Sequence, residues 1–343
     1  MSNQIGAGQD GDLVENLLQP ERLSAAKLIG VDWGSSSLRV FLLDGAGELL
    51  AIRAAPLGAS QMTSPADFAA TLSRCAGHWV RISATPIPVI ACGMVGSRHG
   101  WAEVPYLPTP ANVDFLARNL GRISHTQVHV VPGLIGQSAR QAPDVMRGEE
   151  TQLLGALHLE DRLREQGCII LPGTHSKWAS VVDEKILDFA THMTGELFSV
   201  LRQHSVLGKL LPAAGVEPGD ADRASDAADS AFFMALRAVR DQPDAGLSHQ
   251  LFAVRTLGLT EKLSAGRLAD YLSGLLIGHE IQAGLTWRKR SAHPLATLVL
   301  VGEPELCHRY QQALFCFEEE PAIVLPNTAP TGLWCIARCA QLI

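Results

Sequence analysis

The sequence contains no apolar run approaching the ~18 residues that a membrane-spanning helix needs. Met1 to Ala26 has no basic start followed by an apolar core, so a secretory signal is not expected there. That stretch is polar and glycine-containing and reads as a flexible extension. Cationic residues are in deficit, with 28 Lys and Arg against 35 Asp and Glu, for a net charge of −7. A nucleic-acid surface would need clustered cations, so that class of partner is excluded. None of the seven cysteines forms a CxxC pair. An odd count in apolar surroundings points to reduced, buried thiols in a cytoplasmic protein. Cys335 and Cys339 are spaced to share a helix face, but the further ligands of a metal site are missing. The Walker-A pattern is absent. Gly6-Ala7-Gly8-Gln9-Asp10-Gly11 fits G-x-G-x-x-G, yet it follows no strand and so lacks the context of a dinucleotide loop. His279-Glu280 starts like a zinc-protease motif, but position 283 is Ala and no second His follows.

What is present is a long, moderately apolar chain. Its 343 residues, 47% of them hydrophobic, exceed a single core and suggest two domains, cut here as 27–165 and 166–343, with the last helix free to pack back on the first. The ordered part begins near Lys27. Leu28 to Asp32 reads as a buried strand, followed by the turn Gly34-Ser35-Ser36-Ser37 and a strand from Leu38 to Leu43. Asp44-Gly45-Ala46-Gly47 turns into a third strand, Glu48 to Ala54. A helix is expected from Pro65 to about Trp79, with Ser64 as its N-cap. Val89 to Cys92 and Val128 to Val131 read as further buried strands.

The first unit recurs. Ile169 to Leu171, the turn Gly173-Thr174-His175-Ser176, a strand Lys177 to Val182, the turn at Asp183 and a strand Ile186 to Ala190 repeat the same order. An offset of 139 positions carries Gly34 onto Gly173, Ser35 onto Thr174, Ser37 onto Ser176 and Asp44 onto Asp183. The remainder is mainly helical: Asp222 to Arg240, Arg267 to Leu285, a helix ending near Phe315, and a terminal helix from Gly332 to about Gln341. Buried strands lie at Leu298 to Val301 and Ala322 to Leu325. Strands with intervening helices, twice over, define an α/β fold.

The two small-residue turns carry the chemistry. Successive backbone N–H groups and Ser or Thr hydroxyls form a nest that binds phosphate oxygens without a basic side chain. Asp32 ends the strand beside the first turn, where a carboxylate can hold Mg²⁺ directly or through water. Taken singly, each turn is equally an ordinary hairpin; the repetition and Asp32 favour the phosphate reading.

Ile29-Gly30-Val31-Asp32-Trp33-Gly34-Ser35-Ser36-Ser37-Leu38-Arg39 resembles the first phosphate motif of the superfamily of sugar kinases, actin and heat-shock chaperone ATPases. Gly93-Met94-Val95-Gly96-Ser97, Val145 to Gln152, Pro172 to Trp178, Met193 to Leu197 and Leu272 to Gly278 extend the likeness, in order, to the 2-keto-3-deoxygalactonate kinases. The resemblance covers about Lys27 to Arg338. It implies two ribonuclease-H-like, actin-like ATPase domains with a nucleotide cleft between them. It also implies transfer of the ATP γ-phosphate, with Mg²⁺, to the terminal O6 hydroxyl of a sugar acid. Asp32, Gly34, Ser35, Ser36 and Ser37 would form the first phosphate loop, with Asp32 on Mg²⁺. Gly173, Thr174, His175 and Ser176 would form the second, and Gly302 would sit in the adenosine site, although Glu303 replaces the second Gly expected there. The catalytic carboxylate of sugar kinases opens a helix shortly before the second loop. Glu150 is the first choice for it and Glu149 the second, with Asp32 taking the role if neither reaches the substrate. Met94, Val95, Gly96 and Ser97 would line the sugar pocket. Arg147, and secondarily Arg39, would face the substrate carboxylate. The implied partners are the sugar acid and ATP, with a homodimer left open.

Overall fold

The computed structural model describes residues 13–82, 85–136, 142–211, 230–290, 296–320 and 322–343. Gly6 to Gly11 and the expected helical residues 222–229 lie outside them. Two compact units emerge. Unit 1 holds the described residues up to Glu165, together with Val181–Asp188 and Asn327–Ile343; unit 2 holds Gln166–Ser180 and Phe189–Pro326. The single cut expected between 165 and 166 is thus crossed by two segments that return to unit 1.

The strands are β1 (Val14–Leu17), β2 (Ala26–Trp33), β3 (Leu38–Asp44), β4 (Leu49–Ala55), β5 (Val89–Gly93), β6 (Leu107–Pro108), β7 (Gly121–Arg122), β8 (Val128–Val130), β9 (Leu134–Gly136), β10 (Asp144–Met146), β11 (Gln166–Leu171), β12 (Ser176–Val182), β13 (Lys185–His192), β14 (Thr297–Val301) and β15 (Ile323–Leu325). The larger sheet runs β1-β4-β3-β2-β5-β8-β7, and a second runs β13-β12-β11-β14-β15. In the first, β2–β3 and β3–β4 pair antiparallel while β2–β5 and β5–β8 pair parallel. In the second, β11–β14 and β14–β15 are parallel. Ranked from β2 and from β11, both sheets read 3-2-1-4-5. The repeat seen in the sequence is therefore a repeat of topology, the doubled ribonuclease-H-like arrangement of actin-like ATPases. A small sheet, β10-β9-β6, accompanies the first.

Local chemistry explains the main elements. β2 is central and buried along Leu28–Val31, as strands flanked on both sides are. Gly34 N–H donates to Ser37 O at 2.9 Å and closes the first turn. The Asp44 Oδ1 atom accepts from Ala46 N (2.9 Å) and Glu48 N (3.0 Å), so the second turn is built on a side-chain acceptor. Helix α1 (Pro65–Ala76) opens on a reciprocal capping box between Ser64 and Asp67 and ends three residues before the expected Trp79, and the short helix α2 (Val113–Arg118) is capped by Asn112. The unit-1 core gathers Trp33, Phe68 and Trp101, with the rings of Trp33 and Phe68 edge to face at 5.0 Å. The unit-2 core lies along the long helix Ala265–Lys289, against Phe232, Leu236 and Tyr310.

One expectation is corrected at the N-terminus. Val14–Leu17 is not part of a flexible extension; it forms the edge strand β1, antiparallel to β4, and Pro20–Ala25 forms a 3₁₀ segment. The cause is Arg53. Its guanidinium is almost wholly buried, lies 4.3 Å from the Trp79 ring, and is held by Glu15 Oε1 at 2.7 Å. A buried cation needs a counter-charge, and the N-terminal strand carries it.

The C-terminal helix Ala329–Cys339 packs in unit 1 on helix α3 (Glu149–Leu159). The contact is nearly backbone to backbone: a Cβ on Gly332 would meet Thr151 O at 1.9 Å, and one on Gly155 would meet Thr328 O at 2.1 Å. Gly332→Ala is expected to lower stability by about 1–3 kcal/mol, the usual cost of overpacking, and to disturb α3 at Thr151. Urea midpoints of the two proteins check this; coincident curves would contradict the packing.

Candidate active site

In unit 1 the site assembles where β2, β5 and α3 end or begin. Asp32 stands opposite Arg39 across the β2–β3 pair and opposite Cys92 across the β2–β5 pair. Behind it the chain turns at Gly93 (φ 89°), and α3 starts after Gly148 (φ 106°). A Cβ on Gly148 would stand 3.2 Å from Gly93 Cα, and one on Gly93 would stand 2.6 Å from Trp33 O. Only glycine at both places combines these left-handed conformations with such close approach.

The charges then follow. Burial pushes the Asp32 carboxyl up; the Arg39 guanidinium pulls it down, the Glu149 carboxylate pushes it up again, and the Cys92 thiol lowers it as donor to Oδ1 at 3.9 Å. Burial and the neighbouring carboxylates keep Cys92 well above its ordinary value, so it remains a thiol. Glu149 is half-buried at the first position of α3, and its Oε2 accepts from Arg147 N–H at 3.0 Å. Glu150 has no exposed surface. Its Oε2 accepts from Gly148 N–H at 2.6 Å, and its Oε1 meets the Thr151 hydroxyl at 3.0 Å. Burial first, and Glu149 second, push Glu150 to about 8. The two adjacent acids therefore differ: one is partly open and electrostatically coupled to Asp32, the other enclosed and protonated near neutrality.

Arg147 is buried. Its Nη2 donates to Val104 O at 2.7 Å, and its guanidinium lies 4.3 Å from the Tyr106 ring centroid. Nε and Nη1 are buried with no partner among the described residues. Gly96 borders Nη1, since a Cβ there would come within 3.0 Å of it.

Unit 2 carries the second turn. Thr174 and His175 are exposed, and Gly173 is half-buried. Helix α4 (Thr194–His204) begins against this turn: Glu196 N–H donates to Thr174 O at 3.0 Å, and Gly195 admits no Cβ because Gly173 O would lie 2.6 Å away. His175 Nε2 contacts Glu196 Oε2. Gly302 follows β14 and donates its N–H to Leu325 O at 3.3 Å; a Cβ there would lie 3.8 Å from Pro172 O, next to the turn.

Three sequence expectations change. Val95 is wholly buried in the unit-1 core, so its side chain cannot line a sugar pocket; Met94 and Ser97 remain half-exposed. Ser176 is also wholly buried, with its hydroxyl on Tyr310 OH at 3.0 Å, so it supports the second turn from beneath. Glu150, the first choice for the base, is enclosed, whereas Glu149, the second, is half-buried. Ser35, Ser36 and Ser37 are exposed, as ligands of a phosphate would be. Arg39 lies beside Asp32 as its charge partner. Sequence reading had passed over Tyr106, Val104 and Cys92; only the strand register, which sets Cys92 against Asp32, offered a signal for any of them. No group of three or more metal-ligating side chains occurs among the described residues, and no helix among them is long and apolar enough to cross a membrane.

The family profile described as 2-keto-3-deoxy-galactonokinase matches residues 32–336. The Rhizobium meliloti (strain 1021) protein named probable 2-dehydro-3-deoxygalactonokinase DgoK1 is 36% identical over 297 residues, 85% of this chain and 90% of the relative. The Escherichia coli (strain K12) 2-dehydro-3-deoxygalactonokinase is 35% identical over 304 residues, 89% of this chain and 94% of that protein. A crystal structure of a Sinorhizobium meliloti protein provisionally given the same enzyme name superposes with a TM-score of 0.75 at 33% identity, covering 91% of this chain and 98% of that one. With the doubled sheet order, the two small-residue turns and a profile match from Asp32 to Ile336, the chain belongs to the 2-keto-3-deoxy-galactonokinase family.

Proposed function

We propose that the chain phosphorylates 2-keto-3-deoxygalactonate at its terminal O6 hydroxyl, using ATP. The observation that carries this reading is Asp32 near the end of β2, with the Glu149 carboxylate at the head of α3 near enough to push it up, in a chain of this family. Phosphoryl transfer needs positioning and charge stabilisation more than covalent chemistry. Glu149 is the group that accepts the hydroxyl proton, since it is the partly open carboxylate at the start of α3. Glu150 backs it as a neutral acid that fixes the Gly148 amide and so the start of the helix.

Each unit carries its own candidate phosphate donors, the amides and hydroxyls of Gly34 and Ser35–Ser37 in unit 1 and those of Gly173–His175 in unit 2, where Gly302 is assigned to the adenosine contact. Mg²⁺ keeps most of its waters and takes further ligands from the nucleotide, so one or two protein carboxylates suffice to hold it. Asp32 would hold that ion, which neutralises phosphate charge when bound. Arg147 is proposed to grip the sugar-acid carboxylate through Nε and Nη1, two buried donors that find no acceptor among the described residues. Met94, Gly96 and Ser97 would border the sugar.

The direct test is a coupled assay for ADP release with 2-keto-3-deoxygalactonate, ATP and Mg²⁺, run beside the C4 epimer of the acid. Turnover with the galactonate derivative is expected; failure to turn over either acid would overturn the reading. Arg147→Lys should raise the KM for the acid by roughly 10-fold or more, because a bidentate, charge-assisted contact is lost, while the KM for ATP stays near its original value. An unchanged acid KM would remove Arg147 from the carboxylate.

A further inference from the structure

Beneath the second turn lies a buried polar chain that the proton-transfer chemistry does not use. Glu280, on the long helix Ala265–Lys289, is only 3% exposed. Both its oxygens are taken by neutral donors: Trp178 Nε1–H gives to Oε1 at 3.0 Å, and Tyr310 O–H gives to Oε2 at 2.6 Å. Ser176, Trp178 and Tyr310 are themselves buried. Tyr310 comes from the helix Pro304–Cys316, so three separate elements meet here.

The direction of the hydrogen bonds is determined. A phenol has one proton, and Tyr310 commits it to Glu280. Its oxygen then acts only as acceptor towards its other neighbours. Those are the Ser176 hydroxyl at 3.0 Å and the Thr194 hydroxyl. Ser176 closes the turn, with its Oγ 3.4 Å from both Gly173 N and Gly173 O. Thr194 opens α4, whose next two residues rest on Gly173 and Thr174. One phenol oxygen therefore ties together the two segments that shape the turn, and one carboxylate sets the polarity of that oxygen.

We propose that Glu280 and Tyr310 are positioning residues for nucleotide binding: through Ser176 and Thr194 they hold the Gly173–Ser176 turn in the shape that receives phosphate. The proposal rests on the reading of that turn as a phosphate loop. It predicts an effect on nucleotide affinity out of proportion to any effect on folding. A buried carboxylate held by two neutral donors is an expensive way to stabilise a core, and an apolar pair of the same volume would pack as well. Its specific product is a fixed donor direction at Ser176 and Thr194.

The test measures the dissociation constant of a fluorescent ADP analogue, with Mg²⁺, for the full chain and for Tyr310→Phe, Glu280→Gln and Ser176→Ala, beside thermal melting of each. Tyr310→Phe removes the shared oxygen. Glu280→Gln keeps the shape but turns one acceptor oxygen into a donor, which reverses the Tyr310 proton. Ser176→Ala cuts the chain only at the turn. Each is expected to weaken ADP binding roughly three- to tenfold, the equivalent of one lost hydrogen bond, with the KM for the sugar acid unchanged. If Tyr310→Phe fails to fold, the near-isosteric Glu280→Gln carries the measurement. Wild-type affinity in folded Glu280→Gln and Ser176→Ala would overturn the positioning role while leaving the kinase reading intact. Failure of the unaltered chain to bind the analogue would overturn the phosphate-loop reading and this proposal with it.

Discussion

Glu149→Gln is expected to lower kcat by at least ~100-fold, the usual scale of a lost general base, with ADP affinity nearly unchanged. The amide keeps the length of the side chain and, through its carbonyl oxygen, the acceptor for Arg147 N–H. It loses the ability to take up a proton and the negative charge that now bears on Asp32. Glu150→Gln should behave differently. At neutral pH Glu150 is already largely protonated, and the amide can still accept from Gly148 N–H while its NH₂ donates to the Thr151 hydroxyl. Turnover in Glu150→Gln should therefore stay within about tenfold of the parent, given that a single hydrogen bond contributes ~1 kcal/mol. Single-turnover kinetics with saturating ATP measure both variants. The reverse ranking, with Glu150→Gln dead and Glu149→Gln active, would return the base to Glu150.

That ranking is what the sequence could not supply. Two adjacent acids at a helix start look alike in one dimension, but one residue along a helix is a rotation of about 100°. Periodicity gives no phase here, because α3 buries Glu150, Thr151 and every residue from Leu153 to Leu157. The N-cap position holds Gly148, which carries no side chain to mark the start. By contrast, the hairpins β2–β3–β4 were legible almost to the residue. Their turns are written in Gly, Ser and Asp, and their strands in unbroken apolar runs. The same turn chemistry exposed the repeat, which covers β2–β4 in one sheet and β11–β13 in the other. Long-range features left no local trace. β1 is anchored by the Glu15–Arg53 pair, 38 residues apart. The seat of the C-terminal helix depends on Gly155 and Gly332, which read in sequence as ordinary helix weaknesses. Ser176 matched the repeat perfectly yet points inward, since the alternation of a strand sends it to the Tyr310 side.

The enclosure of Glu150 has a second consequence, in stability. Its carboxyl moves from an ordinary 4.5 in the unfolded chain to about 8 in the fold. Between those values the folded protein holds a proton that the unfolded chain has released. Stability falls with rising pH wherever the folded state binds more protons. The contribution is therefore complete below about pH 4.5, is lost progressively up to about pH 8, and is constant above that. If the full shift is realised, the loss approaches about 5 kcal/mol, at ~1.4 kcal/mol per unit. Glu150→Gln cannot ionise and should lack this slope. Urea midpoints for both proteins at pH 6 and pH 8.5 read the effect. The parent should lose stability relative to the variant as pH rises, so that Glu150→Gln becomes the more stable of the two on the alkaline side. Parallel curves would mean that Glu150 ionises as freely in the fold as outside it. Its place as the neutral acid behind Glu149 would then fall, because an ionised Glu150 would put two carboxylates side by side at the head of α3.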